Sequence, residues 1–521
     1  MFERAPAPTP ESQTARPAGV WSFVDPRTVS VAVIFLAVLI RVFAPLDADI
    51  DWLMSVCRAV LSGKRLYVDI VETNPPMAIF IYMPAAVIEK LTHLPAEAVF
   101  TAMMLVGGSG AAWVLSICAR RAGETTAWLL PVMLMVLLVA PLEAFGQREH
   151  VALLLLTPIL GVAMLRMARQ TVPVWLILIA GLGAGMAPMI KPFFVYGIVA
   201  VYGILAVRRR NLRLLLCPEA LLAASLTVLY AVWVWREIPV YLHNIVPMLY
   251  DIYAPMRLSF FAPGISVKVM MWLLSIACLY AACGKRVFDP APLVLMTASA
   301  GFVVSFVEQG RGWPYHAMMF ILPTLLAVLL CTETGFTRPN DQRGERRLLA
   351  SLAALVLATS PLGYFLLFGY LGGGVVPAIR AAVKHPSVMS ITFDQRPGHP
   401  ITTEVHGTWV GTYSSRWITL NARYLLQIET DPAKRARLEN WLRVDRRAVN
   451  HDLTKRPDIV LVGLGPFDWP GWIAADPQTK ALMADYVPLA TDRLSPTQRK
   501  INEGVTAYIR KDLRPAPPAT P

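Results

Sequence analysis

A short acidic stretch follows the first apolar segment of this chain. Asp47, Asp49 and Asp51 occupy every second position, and Asp69 and Glu72 follow before the next apolar run. Carboxylates beside a low-dielectric medium are costly, and they are usually there for a function. Low polarity raises the pKa of a carboxyl group, which suits it to remove a proton from a hydroxyl group as a general base. We therefore predict that Asp49 or Asp51 is catalytic.

Two other roles fit the same aspartates. Asp49 or Asp51 could cap a helix that begins near Trp52, because aspartate is a favoured N-cap residue. Carboxylates two residues apart could also hold a divalent cation, Mg²⁺ or Mn²⁺, together with water. No other set of residues has the spacing of metal ligands, so we predict no dedicated metal site and no required cofactor.

Three cations stand at positions where a phosphate could bind. Lys191 lies between two prolines, and Arg148 and Arg311 lie in polar loops between apolar runs. Arginine binds phosphate through a two-pronged fork, whereas lysine acts as a point charge. The alternative role for each cation is snorkelling at the membrane interface. We predict that these three residues, together with His316, bind a phosphate group.

The same loops hold further polar and aromatic side chains. They could bind a sugar through hydrogen bonds or by stacking on its face, and polar packing or a place in an aromatic belt would explain them as well. The predicted substrate-binding residues are Tyr67, Glu72, Gln147, Glu149, His150, Gln309, Trp313 and Tyr315.

Composition indicates a membrane protein that spans the bilayer many times. Hydrophobic residues make up 55% of the 521 residues and charged residues 16%, against about 25% charged residues in soluble proteins. The net charge of +13 arises from short Arg and Lys clusters between apolar runs, so we predict contact with membrane lipids and no nucleic acid. The eleven predicted spans are 28–46, 97–118, 126–142, 151–166, 173–190, 193–207, 215–235, 263–283, 290–307, 317–331 and 348–369.

The positions of the basic residues predict the orientation. Arg4, Arg16 and Arg27 precede the first span, so the N-terminus is expected in the cytoplasm. The later Arg and Lys clusters then also face the cytoplasm, while the mixed polar loops face outward. This alternation requires that 76–91 does not cross the membrane, so we predict interfacial helices at 51–63 and 76–91.

Composition changes again after a run of three glycines near residue 373. The following region has ordinary polarity, and we predict that it forms a small α/β domain with helices at 432–448 and 477–486, a buried strand after Arg456 and a closing strand at 501–510. The predicted organisation is a disordered tail (1–27), a catalytic membrane domain (28–375), a periplasmic domain (376–513) and a Pro-rich tail (514–521). Richness in Ala, Arg and Pro indicates a bacterial inner membrane.

These features together resemble the GT-C superfamily of polyprenyl-phosphate-sugar-dependent glycosyltransferases. The resemblance rests on the pair Asp49 and Asp51 just past the first span, on the outer loop from Tyr67 to Pro76, and on many spans that precede an exoplasmic domain. Members include protein O-mannosyltransferases, lipid A aminoarabinose transferases and mycobacterial arabinofuranosyltransferases.

The resemblance implies a mostly α-helical fold and a specific reaction. A sugar would move, with inversion, from a polyprenyl-phosphate donor to a glycan, lipid or protein acceptor of the cell envelope on the periplasmic face. Asp49 or Asp51 would be the base, and Lys191, Arg148 and Arg311 would stabilise the departing phosphate. It also implies two juxtamembrane helices in the first outer loop.

Three other classes compete with this interpretation. A lipid-linked glycan transporter or flippase is the main alternative, but transporters place their polar sites near the middle of the membrane. A phosphotransferase would need a metal cluster or a Ser or Thr nucleophile, and neither is evident. A scaffold that binds glycan through its C-terminal domain would need no catalytic residues.

Overall fold

The computed structural model of this chain is built mainly of helices, with one small sheet near the C-terminus. It describes residues 25–44, 46–259, 261–332, 342–360, 374–465, 467–492 and 504–514. The predicted tails, 1–27 and 514–521, lie almost entirely outside these ranges. The described residues therefore belong almost entirely to the predicted membrane domain (28–375) and the predicted C-terminal domain (376–513).

Helices account for most of the region before residue 383. They are α1 Pro26–Phe43, α2 Ala48–Leu61, α3 Met77–Phe80, α4 Met83–Thr92, α5 Ala96–Arg121, α6 Leu129–Leu134, α7 Arg148–Met167, α8 Val174–Ile190, α9 Val195–Arg209, α10 Pro218–Glu237, α11 Val246–Met248, α12 Phe261–Gly264, α13 Val267–Cys283, α14 Pro290–Gln309, α15 Pro314–Thr332, α16 Gln342–Thr359 and α17 Val375–Ala382. π-Helical turns occur at Met135–Val139, Tyr241–Ile245 and Leu249–Tyr253.

Eight helices within the described residues are long and apolar enough to cross a membrane, so the chain is a membrane protein. They are Pro26–Phe43, Ala96–Arg121, Arg148–Met167, Pro192–Arg209, Pro218–Glu237, Phe261–Phe288, Pro290–Gln309 and Pro314–Thr332. The predicted count of eleven is not confirmed. Two of the remaining predicted positions hold shorter apolar helices, Leu129–Val139 and Val174–Ile190. The third holds α16, and the end of that predicted span, after residue 360, lies outside the described residues.

The segment between α1 and α5 contains helices that are too short to cross a membrane. The segment predicted at 76–91 forms α3 and α4, of 4 and 10 residues, whereas a span needs about 20. The helix predicted at 51–63 begins earlier, at Ala48, because Asp47 caps it by accepting a hydrogen bond from the backbone N–H of Asp49 at 2.8 Å. The capping role that was the alternative for Asp49 or Asp51 belongs to Asp47.

Helices α7 and α15 form the centre of the membrane region. In the apolar stretches of these two helices, 72% and 89% of the residues are buried inside the protein. Glycine permits α8 to pack closely against α7, because a Cβ atom on Gly183 would lie 2.0 Å from the carbonyl oxygen of Leu155. This central packing positions the first residues of α7 and α15. Those residues include several polar side chains.

The C-terminal region forms a five-stranded sheet in the order β2-β1-β3-β5-β4. Strands β1, β2 and β3 are parallel, and β5 runs antiparallel to both β3 and β4. The strands are β1 Ser387–Ile391, β2 Thr408–Trp409, β3 Ile459–Gly463, β4 Tyr486–Asp492 and β5 Val505–Arg510. The helices are α18 His399–Glu404, α19 Trp417–Ile428, α20 Pro432–Thr454, α21 Trp469–Ala474 and α22 Pro477–Met483. The predicted α/β fold of this region is confirmed.

Candidate active site

The ends of three central helices meet in one buried polar cluster. Glu149 lies in the first turn of α7, His316 lies in the first turn of α15, and Lys191 follows α8. The ammonium group of Lys191 donates to Glu149 Oε1 at 2.5 Å and lies 3.4 Å from His316 Nε2. It also lies 5.6 Å from the ring centroid of Tyr315. Residues far apart in sequence thus converge where these helices end on one side of the bundle.

Asp49 joins this cluster from α2. Its carboxylate accepts a hydrogen bond from Arg148 Nη2 at 2.6 Å and lies 3.4 Å from Gln147 Nε2. The side-chain amide of Gln395, which belongs to the C-terminal domain, donates to the other carboxylate oxygen. A carboxylate has about four lone-pair positions, so Asp49 retains the capacity to accept another proton donor. We define Asp49, Gln147, Arg148, Glu149, Lys191, Tyr315 and His316 as the polar cluster.

Several buried polar atoms of the cluster have no hydrogen-bond partner in the described part of the chain. They are Arg148 Nε, His316 Nδ1, Gln147 Oε1 and Glu149 Oε2. Lysine has only donors, so its contact requires that His316 Nε2 accepts, and the neutral ring then carries its proton on Nδ1. The cluster therefore presents two unsatisfied donors and two unsatisfied acceptors. Each such atom costs about 1–3 kcal/mol when buried without a partner, so a polar ligand that pairs with these atoms would bind favourably.

Asp47 lies beside the cluster and shares a partner with Asp49. Gln147 Nε2 donates to Asp47 Oδ1 at 2.6 Å. Burial, followed by the charge of Asp49, raises the pKa of Asp47 to about 7. Asp47 is thus a carboxyl group that titrates near neutral pH at the edge of the site, besides capping α2.

The raised pKa of Asp47 predicts a pH-dependent stability. The folded protein holds this proton more tightly than the unfolded chain, so the stabilisation is complete below about pH 4 and is lost as pH rises towards 7. Asp47→Asn removes the titration but keeps a good N-cap residue. We expect the melting temperature of the native protein to fall relative to this variant between pH 5 and pH 8, by about 1 °C per kcal/mol for a chain of this length. Parallel melting curves at all pH values would contradict this expectation.

Asp51 lies on the opposite side of α2 from Asp49. Two residues along a helix correspond to a rotation of about 200°, so the two carboxylates cannot share one cation as the sequence suggested. Asp51 is buried, and burial followed by the charge of Glu97 raises its pKa well above the usual value. No group of three or more His, Cys, Asp and Glu within the described ranges is arranged to hold a metal ion.

Tyr67 and Glu72 stabilise the loop between α2 and α3 and, within the described residues, make no hydrogen bond to the cluster. The Tyr67 hydroxyl donates to the carbonyl of Asn74 at 2.6 Å. Glu72 accepts hydrogen bonds from the backbone of Thr73 and Asn74 and from the indole of Trp52. These hydrogen-bond partners all lie in that loop and in α2, while the Tyr67 ring also lies 5.0 Å from the ring of Tyr241 and the charge of Glu72 acts on Arg148.

His150 is satisfied by local structure. The backbone N–H of Gly146 donates to its Nδ1 at 3.0 Å, so Nε2 carries the proton and donates to the carbonyl of Leu137 at 2.7 Å. That carbonyl lies in the π-helical turn Met135–Val139. His150 therefore positions the start of α7 and has no nitrogen left for a substrate.

The residues predicted around 309–313 divide between several environments. Gln309 Nε2 lies 3.2 Å from the carbonyl of Ser305 on its own helix, and the side chain of Trp313 is exposed. Arg311 donates to the carbonyls of Tyr253 and Met256 at 2.5 and 3.1 Å. These bonds hold the 249–256 loop, so Arg311 lies near the cluster without the direct contacts that Arg148 and Lys191 make.

Gln395 and Arg396 are site residues that sequence reasoning missed. Gln395 contacts Asp49 directly, and the charge of Arg396 acts on both Asp47 and Asp49. They follow β1, one of three parallel strands, and ligands often bind beyond the carboxyl ends of such strands. Recognising β1 in the sequence would have drawn attention to this turn.

Basic residues lie at the ends of the membrane helices that are far from the polar cluster. Arg166 at the end of α7 pairs with Glu219 at 2.5 Å, and Arg286 lies 3.5 Å from Glu124. Arg121 donates to the carbonyl of Thr171 at 3.0 Å. The polar cluster and the arginine clusters thus lie at opposite ends of the same helices.

Comparison with known proteins identifies the fold. No protein-family model matches the sequence, and no curated protein matches it either. Among solved structures, the chain is similar to ArnT from Cupriavidus metallidurans bound to undecaprenyl phosphate, with a TM-score of 0.50 and 12% identity over 92% of this chain and 97% of that chain.

The same enzyme in the apo state also has a TM-score of 0.50 and 12% identity, over 94% and 98% of the two chains. ArnT is a lipid A aminoarabinose transferase of the GT-C class. At this identity the likeness is one of fold. It confirms the predicted GT-C-like fold, a helical membrane region with a C-terminal α/β domain.

Proposed function

We propose that this protein is an integral membrane glycosyltransferase that transfers a sugar from a polyprenyl-phosphate donor to an acceptor of the cell envelope. The observation that supports this most is the set of unsatisfied atoms in the polar cluster. Arg148 Nε and His316 Nδ1 are donors suited to a phosphate, and Gln147 Oε1 and Glu149 Oε2 are acceptors suited to sugar hydroxyls. A sugar phosphate would complement both pairs at once.

Two features add to the affinity for an anion. The N-terminus of α7 has no side-chain cap, so its free N–H groups and its dipole favour negative charge. Arg148 and Lys191 add two formal charges in a buried setting. Both cations pair with carboxylates here, and an incoming phosphate would take over part of that pairing. The fold supports this choice of donor, since the ArnT structure was solved with undecaprenyl phosphate.

The proposed reaction is a direct displacement at the anomeric carbon. Asp49 takes the proton from an acceptor hydroxyl, and the hydroxyl oxygen forms a bond to the anomeric carbon from the face opposite the phosphate. The bond between that carbon and the phosphate oxygen breaks, and the electron pair leaves with the polyprenyl phosphate. Arg148 and Lys191 stabilise the negative charge that develops on this oxygen. The sugar is transferred with inversion.

The proposed orientation places this reaction on the periplasmic face. Basic residues gather at the end of the bundle opposite the polar cluster, and basic ends face the cytoplasm in most membrane proteins. Residues 376–513 would then be periplasmic and 28–375 would form the catalytic membrane domain. The C-terminal domain reaches the site through Gln395 and also pairs with an outer loop, where Arg437 lies 3.0 Å from Asp251.

Release of polyprenyl phosphate tests the proposed function directly. Purified protein supplied with a labelled polyprenyl-phosphate sugar and a crude envelope acceptor is expected to release free polyprenyl phosphate. A flippase would move the intact donor across a vesicle and release none. Equal rates with and without EDTA are expected if the side chains alone stabilise the phosphate, and full loss with EDTA would point to a bound Mg²⁺ or Mn²⁺.

A further inference from the structure

A cavity lies between the membrane helices and the C-terminal domain. Its volume is about 790 Å³, and it is bounded by α1, α2, α4, α5 and α18. Part of its wall is apolar and includes Val38, Val42, Ala102 and Leu105. Several of these side chains are exposed on the outside of the bundle, where the chain would meet lipid.

Arg41 lines this cavity without a hydrogen-bond partner for two of its nitrogens. Its Nε and Nη1 are buried and unpaired within the described residues. The guanidinium group lies 4.8 Å from the ring centroid of Phe145. A snorkelling arginine would extend its donors to water, so two buried and unpaired nitrogens in a spanning helix require another explanation. Ionisable residues in such segments usually mark a functional site.

The other cation of the cavity is already neutralised. Arg58 donates to Glu89 at 2.7 Å and to Glu97 at 2.7 Å. The charge of Glu143 also acts on Arg41, but Arg41 Nε and Nη1 have no hydrogen-bond partner within the described residues, so Arg41 is the cation of this cavity with donors left for an anion. A ligand that suits this cavity has a negative group at the level of Arg41 and an apolar part beside Val42 and Ala102.

This cavity is separate from the polar cluster. Arg58 is seven residues after Asp51, so both lie on the same face of α2. Asp49 lies about 200° around the helix from that face. A ligand on Arg41 would therefore occupy the side of α2 opposite the proposed active site.

We propose that this cavity binds a membrane phospholipid, with the phosphate of its headgroup on Arg41 and its acyl chains along α1 and α5. Guanidinium groups pair strongly with phosphate oxygens. The cavity is also lined by Thr403 and His406 from the end of the C-terminal domain that faces the membrane. A lipid seated here would connect the two parts of the protein. The proposal does not depend on the transferase function.

Native mass spectrometry of the full-length protein tests this site. After purification in mild detergent, the protein is titrated with phosphatidylglycerol, with phosphatidylethanolamine and with inorganic phosphate. The native protein is expected to retain one phospholipid with an affinity about tenfold higher than Arg41→Gln shows. Arg65→Gln is the matched control, because Arg65 is an exposed arginine paired with Asp69.

A second variant covers the case in which Arg41→Gln fails to fold. Ala102→Phe places a ring in the groove from its exposed side, leaves Arg41 intact, and should also displace the lipid. Equal phospholipid retention by native protein and both variants would overturn the proposal. Binding of inorganic phosphate with no retained phospholipid would overturn it as well, since the site would then hold a free anion. Preference for either phospholipid supports the proposal and identifies the headgroup.

Discussion

Replacing Asp49 with Asn is expected to lower the turnover of a polyprenyl-phosphate sugar by about 10²–10⁴-fold, the range for loss of a general base. Asn has nearly the same shape but cannot accept a proton from the acceptor hydroxyl. Asp49 is the acid of the first outer loop that lies within the polar cluster, bound to Arg148 at 2.6 Å. The measurement is the rate of polyprenyl phosphate release under saturating donor.

Asp51→Asn is the matched comparison for this prediction. Asp51 lies two residues away on the same helix, but its carboxylate faces Arg58 and Glu97. We expect this variant to keep turnover within about tenfold of the native rate. The prediction fails if Asp49→Asn retains full turnover, or if Asp51→Asn loses more than Asp49→Asn does. Melting temperatures of both variants would show whether a loss arises from misfolding.

The pH profile separates a chemical role of Asp49 from a positioning role. If Asp49 acts as base, turnover of the native enzyme rises as its neighbour Asp47 ionises, because a second negative charge favours proton transfer to Asp49, and the pKa of Asp47 is raised to about 7. The two carboxyl groups share Gln147 as a hydrogen-bond donor, so a change of charge on Asp47 acts directly beside Asp49. The residual activity of Asp49→Asn should lack this rise. An unchanged profile would indicate that Asp49 only orients Arg148.

Much of the membrane region could be predicted from sequence because bilayers impose simple rules. The predicted span 151–166 lies within α7, which covers Arg148–Met167, and the basic residues at its end mark one side. The same alternation placed Lys191, Glu149 and His316 on one side before any contact was known. What sequence could not provide is which of these side chains touch each other, since that depends on how α7, α8 and α15 pack.

The individual roles of similar residues were harder to predict. Asp47, Asp49 and Asp51 each suit an N-cap, and only the observed start of α2 shows that Asp47 has that role. His150 and His316 both begin apolar helices, yet a π-helical turn supplies a carbonyl to His150. No periodicity in the sequence signals that turn.

The contribution of the C-terminal domain was also beyond sequence reasoning. Gln395 is 346 residues from Asp49 in the chain, and it lies in a turn between elements that composition did not reveal. Strands β1 and β2 are short, and β1 is buried among parallel neighbours. A buried strand of five residues is difficult to distinguish from a piece of helix by its pattern alone.

Replacing Lys191 with Met is the second change expected to have a large effect, a loss of turnover of about 10²–10³-fold. Lys191 would stabilise the charge that develops on the departing phosphate, and this stabilisation is strong in a buried site. The same change leaves Glu149, which is fully buried, without its ion-pair partner. Such a loss destabilises a protein by about 3–5 kcal/mol, so the single variant cannot separate catalysis from folding.

The double variant Lys191→Met/Glu149→Gln separates these two effects. It removes both charges of a pair that lies at 2.5 Å, so no buried carboxylate remains uncompensated. We expect a melting temperature close to that of the native protein and a turnover that stays low. Glu149→Gln alone keeps the lysine charge and is also destabilised, because Lys191 loses its partner, but we expect the turnover of its folded fraction to fall by no more than about tenfold. Arg65→Gln, which removes an exposed cation, should leave turnover unchanged.

These four variants give opposite patterns for the two roles of Lys191. If Lys191 only balances Glu149, the double variant regains both stability and turnover, and the proposed phosphate contact is wrong. If Lys191 stabilises the phosphate, stability returns and turnover does not. Binding of free polyprenyl phosphate provides an independent readout, because a ligand-contacting lysine contributes to its affinity while a purely structural one does not. Weakened binding in the double variant, together with near-native binding in Glu149→Gln, would place the phosphate on Lys191.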